Sequence, residues 1–189
     1  VFEPQPEEVF SPDNAPARLS RWRDKYLLLK GLGIDRLLCV KFNRQFSKMT
    51  AETFISDLLV KKLGIQLLVV GDDFRFGQGR QGDFAMLTTA GKSSGFDVVS
   101  TQSYRYENCR ISSSAIRAAI DENNFALAQQ MLGRPFIIHG RVVHGDKNGR
   151  KLGFPTANIV LRRCKSPVAG VFAVRIFTNE QVFEGIANA

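Results

Sequence analysis

Apolar side chains return every third or fourth residue along several stretches of this chain, and short unbroken apolar runs lie between those stretches. Leu19, Trp22, Tyr26 and Leu29 form one such stripe, which predicts a helix over 19–29; the run 37–40 predicts a buried strand after it. Ala51, Phe54, Ile55, Leu58 and Leu59 repeat the helical spacing behind Thr50, whose hydroxyl suits an N-cap. Residues 66–70 predict the next strand, ahead of Gly71. Asp83 predicts the cap of a helix carrying Phe84 and Leu87, 97–100 predicts a strand, and Ser112 opens a helix carrying Ile116 and Ile120. Helix and strand alternate, which is the pattern of an α/β domain built on a parallel sheet.

A helix over 124–132, with Phe125, Ala128, Met131 and Leu132 on one side, ends at Gly133, a residue suited to the left-handed terminator position. The pattern then changes. Residues 136–143, 170–177 and 182–186 are rich in β-branched and aromatic side chains, are separated by turn-forming stretches and carry no helical stripe. The expected organisation is an α/β domain over 1–133 followed by an all-β domain over 134–189. The charged, proline-containing stretch 7–16 reads as a surface loop.

Composition narrows the setting. With 189 residues, 44% hydrophobic and 23% charged, the chain suits one large or two small soluble domains. Its longest apolar runs fall far short of a bilayer span, so no membrane partner is expected, and the first residues carry no signal-peptide pattern. Three cysteines, Cys39, Cys109 and Cys164, are too few and too far apart for a disulfide framework or a paired-cysteine zinc site, which points to the cytoplasm. A net charge of +8 attracts polyanions or small phosphorylated ligands. Arg18, Arg21, Arg23, Lys25, Lys61 and Lys62 fall on expected helices, where a solvated face accounts for them, so nucleic acid is not expected among the partners.

Three segments carry candidate chemistry. Between Gly140 and Asn158 the chain packs Gly140, Gly145, Gly149 and Gly153, together with His144, Pro155, Thr156 and Asn158, between two apolar runs. Backbone N–H groups in such a loop can form an anion-binding concavity. Thr156 and Asn158 add hard oxygen donors of the kind Mg²⁺ accepts beside nucleotide phosphates. The plain alternative is a glycine-rich hairpin with a proline turn. In open parallel sheets ligands sit beyond the carboxyl ends of the strands, and there the chain reads Gly71-Asp72-Asp73-Phe74-Arg75-Phe76-Gly77. Its acids and Arg75 could meet a ligand, or the loop could be a turn with Phe74 and Phe76 in the core. Finally, Arg110, Ser112, Ser113 and Arg117 cluster around an expected helix start, which suits a phosphate; an ordinary serine cap with surface arginines is the alternative.

The segment from Gly140 to Asn158 resembles the signature of riboflavin kinases, in which Pro-Thr-Ala-Asn follows Gly-Arg-x-Leu-Gly-Phe. Phe2-Glu3-Pro4-Gln5-Pro6, the Gly71 to Gly77 loop and Arg110-Ile111-Ser112-Ser113-Ser114-Ala115-Ile116-Arg117 are similar, in the same order, to motifs of the adenylyltransferase domain of bacterial bifunctional riboflavin kinase/FAD synthetases. The resemblance implies a Rossmann-like nucleotidyltransferase domain followed by a riboflavin-kinase antiparallel β-barrel. It implies ATP-dependent phosphorylation of riboflavin to FMN, and adenylylation of FMN to FAD with release of pyrophosphate. It implies ATP-phosphate contacts at Arg110, Ser112, Ser113, Arg117, Gly140, His144, Gly145, Gly149 and Gly153, flavin or adenine contacts at Asp73 and Phe74, and Mg²⁺ at Thr156 and Asn158.

Two departures matter. The family's His-x-Gly-His motif has no counterpart, since the two histidines are His139 and His144. The kinase glutamate thought to act as general base has none either, so no catalytic residue is assigned. The expectation is part of a longer protein, whose uncovered sheet edges leave self-association open. Two rivals remain at this level. One is a single-function nucleotidyltransferase acting on another phosphorylated substrate; the other is a non-catalytic RNA- or flavin-binding module, which salt-sensitive, flavin-indifferent affinity would favour.

Overall fold

The computed structural model describes residues 1–101, 103–107, 109–144, 156–161, 165–178 and 181–189. Besides short 3-10 turns, the α-helices among the described residues are α1 (Pro6–Phe10), α2 (Trp22–Gly31), α3 (Ala51–Thr53, continued as a π-helix over Phe54–Lys62), α4 (Phe84–Ser94), α5 (Ser113–Asp121) and α6 (Phe125–Leu132). The strands are β1 (Phe2–Glu3), β2 (Val40–Lys41), β3 (Leu67–Gly71), β4 (Asp97–Thr101), β5 (Arg105–Tyr106), β6 (Cys109–Arg110), β7 (Arg141–Val143), β8 (Asn158–Val160), β9 (Val171–Phe177) and β10 (Val182–Asn188). They belong to two compact units, one made of Val1–Asn14 and Leu38–Arg110, the other of Ala15–Leu37 and Ile111–Ala189.

In the first unit β1 pairs in parallel with β2 and β3 with β4, the latter in register from Leu67 opposite Asp97 to Gly71 opposite Thr101. Thr50 Oγ1 accepts the Thr53 N–H at 3.2 Å and so starts α3. Asp83 Oδ1 accepts the Met86 N–H at 2.9 Å and starts α4, the crossover between β3 and β4. The apolar stripes of these helices meet in a core of Ala51, Phe54, Ile55, Leu59, Phe76, Leu87 and Phe96. Leu87 is wholly buried there.

In the second unit, Ser112 Oγ accepts the Ala115 N–H at 3.2 Å and starts α5, and Asn124 Oδ1 accepts the Leu127 N–H at 3.1 Å and starts α6. Ile116, Ala119 and Ile120 of α5 pack on Ala128 and Met131 of α6. Among the described residues the strands of this unit form two antiparallel pairs, β7 with β8 and β9 with β10.

Five expectations need correction. Residues 7–10 are not loop but the body of α1, while 11–16 carry only a 3-10 turn at Pro12–Asn14: Pro6 occupies the first turn of α1, Glu7 and Glu8 favour its positive end, and Glu8 Oε2 accepts the Gln5 N–H at 3.0 Å. The run 37–40 is not a buried strand; Leu38 is 46% exposed, because among the described residues β2 pairs with the two-residue β1 alone and the Leu38 carbonyl accepts from the Val1 amino group. Residues 136–140 do not join the strand at 141–143, since Phe136 turns onto the α5–α6 core and stacks on Phe125 at 6.5 Å. Finally, the buried residue of α2 is Asp24 rather than the apolar stripe, in which Tyr26 is 44% exposed. Arg21 likewise leaves the expected solvated face to pair with Asp24.

Candidate functional site

The loop after β3 is held by its own backbone. The Phe74 N–H reaches the Gly71 carbonyl at 3.1 Å, and the Gln78 N–H reaches the Met49 carbonyl at 2.7 Å. Gly77, at φ +74°, lies so close to the start of α3 that a Cβ would stand 2.7 Å from the Ala51 backbone. Phe76 is buried against Phe54, with ring centroids 5.1 Å apart, and Phe74 stacks on Phe76 at 5.6 Å. The ring of Phe74 therefore packs on the core, while Asp73 and Arg75 stand exposed beyond the carboxyl end of β3.

Two candidates meet here. Arg110 Nη2 donates to Asp73 Oδ2 at 2.7 Å. Gly71 makes room for the acid, because a Cβ there would come within 2.8 Å of Asp73 Oδ1. The hydrogen bond and charge of Arg110 hold the Asp73 carboxyl below the ordinary carboxylate range.

In the second unit, the Ser112 hydroxyl is taken up by its cap, and Ser113 is exposed at the first turn of α5. Arg117 Nε donates to the Ala17 carbonyl at 2.7 Å, which leaves the Nη groups as its remaining donors. Gly140 backs directly onto the Ile159 side chain, so a Cβ has no space there. The β7–β8 register sets Val143 opposite Asn158, so His144 and Thr156, which follow and precede those residues, flank the same end of the pair. All three polar side chains are exposed. Gly145, Gly149 and Gly153 lie outside the described residues. Thr156 and Asn158 are neutral hard oxygen donors, which suits Mg²⁺ bound mainly by phosphate oxygens and water. Among the described residues no cluster of three or more His, Cys, Asp or Glu side chains could hold a metal ion.

A third arrangement joins side chains far apart in the sequence. Asp24 is buried, accepts the Arg21 N–H at 3.0 Å and Arg21 Nε at 3.2 Å, and has His139 Nδ1 3.2 Å from its Oδ1. Burial pushes the Asp24 carboxyl up, but the hydrogen bonds from Arg21 and the charges of Arg21 and His139 outweigh it and hold the group below its ordinary range. An acid three residues after Arg21 was a legible helix-start signal; the approach of His139 was not. Two grooves, of about 460 Å³ lined by Lys41, Asn43, Phe46 and Lys48 among others, and about 320 Å³ lined by Tyr26, Lys30 and Asp35 among others, include none of the candidate residues.

The model of the family described as FAD synthetase matches residues 1–115. The chain belongs to the FAD synthetase family. The riboflavin kinase family model matches residues 132–189 of this FAD synthetase family member. The bifunctional riboflavin kinase/FMN adenylyltransferase of Escherichia coli (strain K12) is 55% identical over 189 residues, all of this chain and 60% of its own length. The protein of the same name from Haemophilus influenzae is 47% identical, with 61% of its length covered. The chain thus spans about 60% of the length of these curated relatives. A crystal structure of a macrolide-efflux protein from Streptococcus pneumoniae superimposes with a TM-score of 0.79 at 28% identity, covering all of this chain and 61% of the other. No helix among the described residues is long and apolar enough to cross a membrane.

Proposed function

We propose that this chain serves FAD biosynthesis in the cytoplasm, with residues 1–133 acting in FMN adenylylation and 134–189 in riboflavin phosphorylation. The observation that carries the reading is the presence of both family matches in one chain, in the order of the bifunctional relatives. The finer architecture that goes with it is a Rossmann-like nucleotidyltransferase domain followed by an antiparallel kinase barrel. The parallel pairs β1–β2 and β3–β4 and the antiparallel pairs β7–β8 and β9–β10 are the elements that support it.

In the adenylylation half, a phosphate oxygen of FMN attacks the α-phosphorus of ATP and pyrophosphate leaves. No nucleophile from the protein is needed, so the work of the chain is binding, orientation and charge. Arg110 presents a guanidinium to the phosphates, and the first turn of α5, with Ser112 and Ser113, presents N–H groups and the positive end of a helix. Arg117 contributes its Nη groups, and Asp73 and Phe74 form the flavin or adenine side.

In the kinase half, the ribityl 5′-hydroxyl of riboflavin takes the γ-phosphoryl group of ATP. Gly140, Gly145, Gly149, Gly153 and His144 are the proposed phosphate contacts, the glycines for the freedom they give the backbone. Thr156 and Asn158 would hold Mg²⁺, which when bound neutralises charge on the transferring group. The test is to supply riboflavin and ATP and to measure FMN and FAD separately by chromatography. In a protein of the relatives' full length that contains this chain, both products are expected in sequence, and formation of neither refutes the proposal; the 189 residues by themselves, which lack a His-x-Gly-His motif, are expected to make little or no FAD.

A further inference from the structure

Asp73 and Arg110 are the two candidate residues of the first unit assigned to different ligands, the acid to the flavin or adenine side and the guanidinium to ATP phosphates, and in the structure they are bound to each other at 2.7 Å. Both side chains are open to solvent, 63% exposed for Asp73 and 52% for Arg110. The pair is not what shapes the loop. Backbone bonds within 71–82, the buried Phe76 ring and the seat of Gly77 on Ala51 do that, and an ion pair this exposed adds little to stability. Among the described residues Asp73 is the only acid paired with Arg110, and Arg75 is the second cation whose charge acts on it.

The bond from Arg110 takes up one acceptor position on Asp73 Oδ2 and neutralises part of the carboxylate charge, so a ligand donor meets a weaker acceptor, and a guanidinium engaged with an acid meets a phosphate with part of its charge and donor edge already used. Building on the function proposed above, we propose that the Asp73–Arg110 pair is an exchange latch. In the ligand-free protein each residue occupies the other; nucleotide phosphate takes over Arg110 and releases Asp73 to accept a hydrogen bond from the second substrate. Binding of the two substrates is then mutually favourable, because each pays less to open a pair the other has opened already.

The latch makes a prediction opposite in sign to a simple contact. Asp73→Asn removes the competing charge while keeping an oxygen that can accept a hydrogen bond. In the full chain it should bind an ATP analogue with a non-cleavable α,β-bridge about five- to tenfold more tightly, the size of one unit charge removed at close range in a watery site. The same analogue should raise FMN affinity, read by flavin fluorescence, in the unaltered protein and not in Asp73→Asn. Asp97→Asn, an equal change of charge at the opposite end of β4, should leave both affinities unchanged, and the gain from Asp73→Asn should vanish in an Arg110→Ala background. If the unaltered protein binds neither analogue nor FMN, the functional proposal fails. If it binds both, and Asp73→Asn leaves the analogue affinity unchanged or weaker, the latch is overturned.

Discussion

Replacing Gly77 by alanine tests whether the geometry of the loop after β3 is set by its backbone. Gly77 sits at φ +74° and ψ 175°, a region open to glycine and costly for any other residue, with a strain of about 1 to 3 kcal/mol. The added methyl would also stand 2.7 Å from the backbone of Ala51 and 2.9 Å from its Cβ. Those atoms belong to the first turn of α3 and cannot swing aside as a long side chain would, so overpacking adds about 1 to 3 kcal/mol. The sum, about 2 to 6 kcal/mol, is a large share of the ~5–15 kcal/mol that stabilises an ordinary domain. Gly95→Ala separates the two contributions, because Gly95 also has a positive φ, +78°, but nothing within 4 Å of the Cβ position; it should lose only about 1 to 2 kcal/mol. Urea titration followed by far-UV circular dichroism is the assay, since the single tryptophan, Trp22, belongs to the other unit. With a slope of about 2 kcal/mol per molar, Gly77→Ala should bring the midpoint down by roughly 1 to 3 M. A shift no larger than that of Gly95→Ala would refute the claim that contact with α3 fixes the loop.

Leu87→Ala, at the wholly buried centre of the first unit, should cost about 2–5 kcal/mol in the same titration. Made in a protein of the relatives' full length that contains this chain, Thr156→Ala and Asn158→Ala should each abolish FMN formation from riboflavin while FAD formation from supplied FMN continues, and loss of both reactions together would argue against separate sites. Asp24 gives a pH effect of defined sign: its carboxyl lies lower in the folded protein than in the unfolded chain, so its contribution to stability is present above the ordinary carboxylate range and disappears as the pH falls through the folded value. Stability measured between about pH 6 and pH 3 should therefore fall less in Asp24→Asn than in the unaltered chain.

Helix positions were legible wherever a cap and an apolar stripe coincided. Thr50, Asp83 and Ser112, read from the sequence as helix starts, each accept the N–H three residues on, and Asn124 does the same at the start of α6. The reading failed where long-range partners decide. Whether 37–40 is buried depends on which strand lies beside it, and one partner of Asp24 is an imidazole more than a hundred residues away. At the candidate site the residue types and order were readable, but the bond between Asp73 and Arg110 was not. It depends on where the β5–β6 pair, which ends at Arg110, comes to lie beside the loop after β3, which periodicity alone does not say. Phe74 shows the opposite case: the alternative of a core-packed aromatic, read from the sequence beside the ligand role, describes where its ring lies.

The division into units has a consequence for synthesis on the ribosome. Residues 15–37 belong with 111–189, so α2 emerges long before the residues it packs with, and the Ala17 carbonyl waits for Arg117, 100 positions later. At about 5–20 residues per second that is roughly 5–20 s during which the first unit can gather all of its own residues while the second cannot begin. Slowing translation between residues 38 and 110 lengthens the time α2 stays without its partners, and with it the time a chaperone or protease has to find that helix.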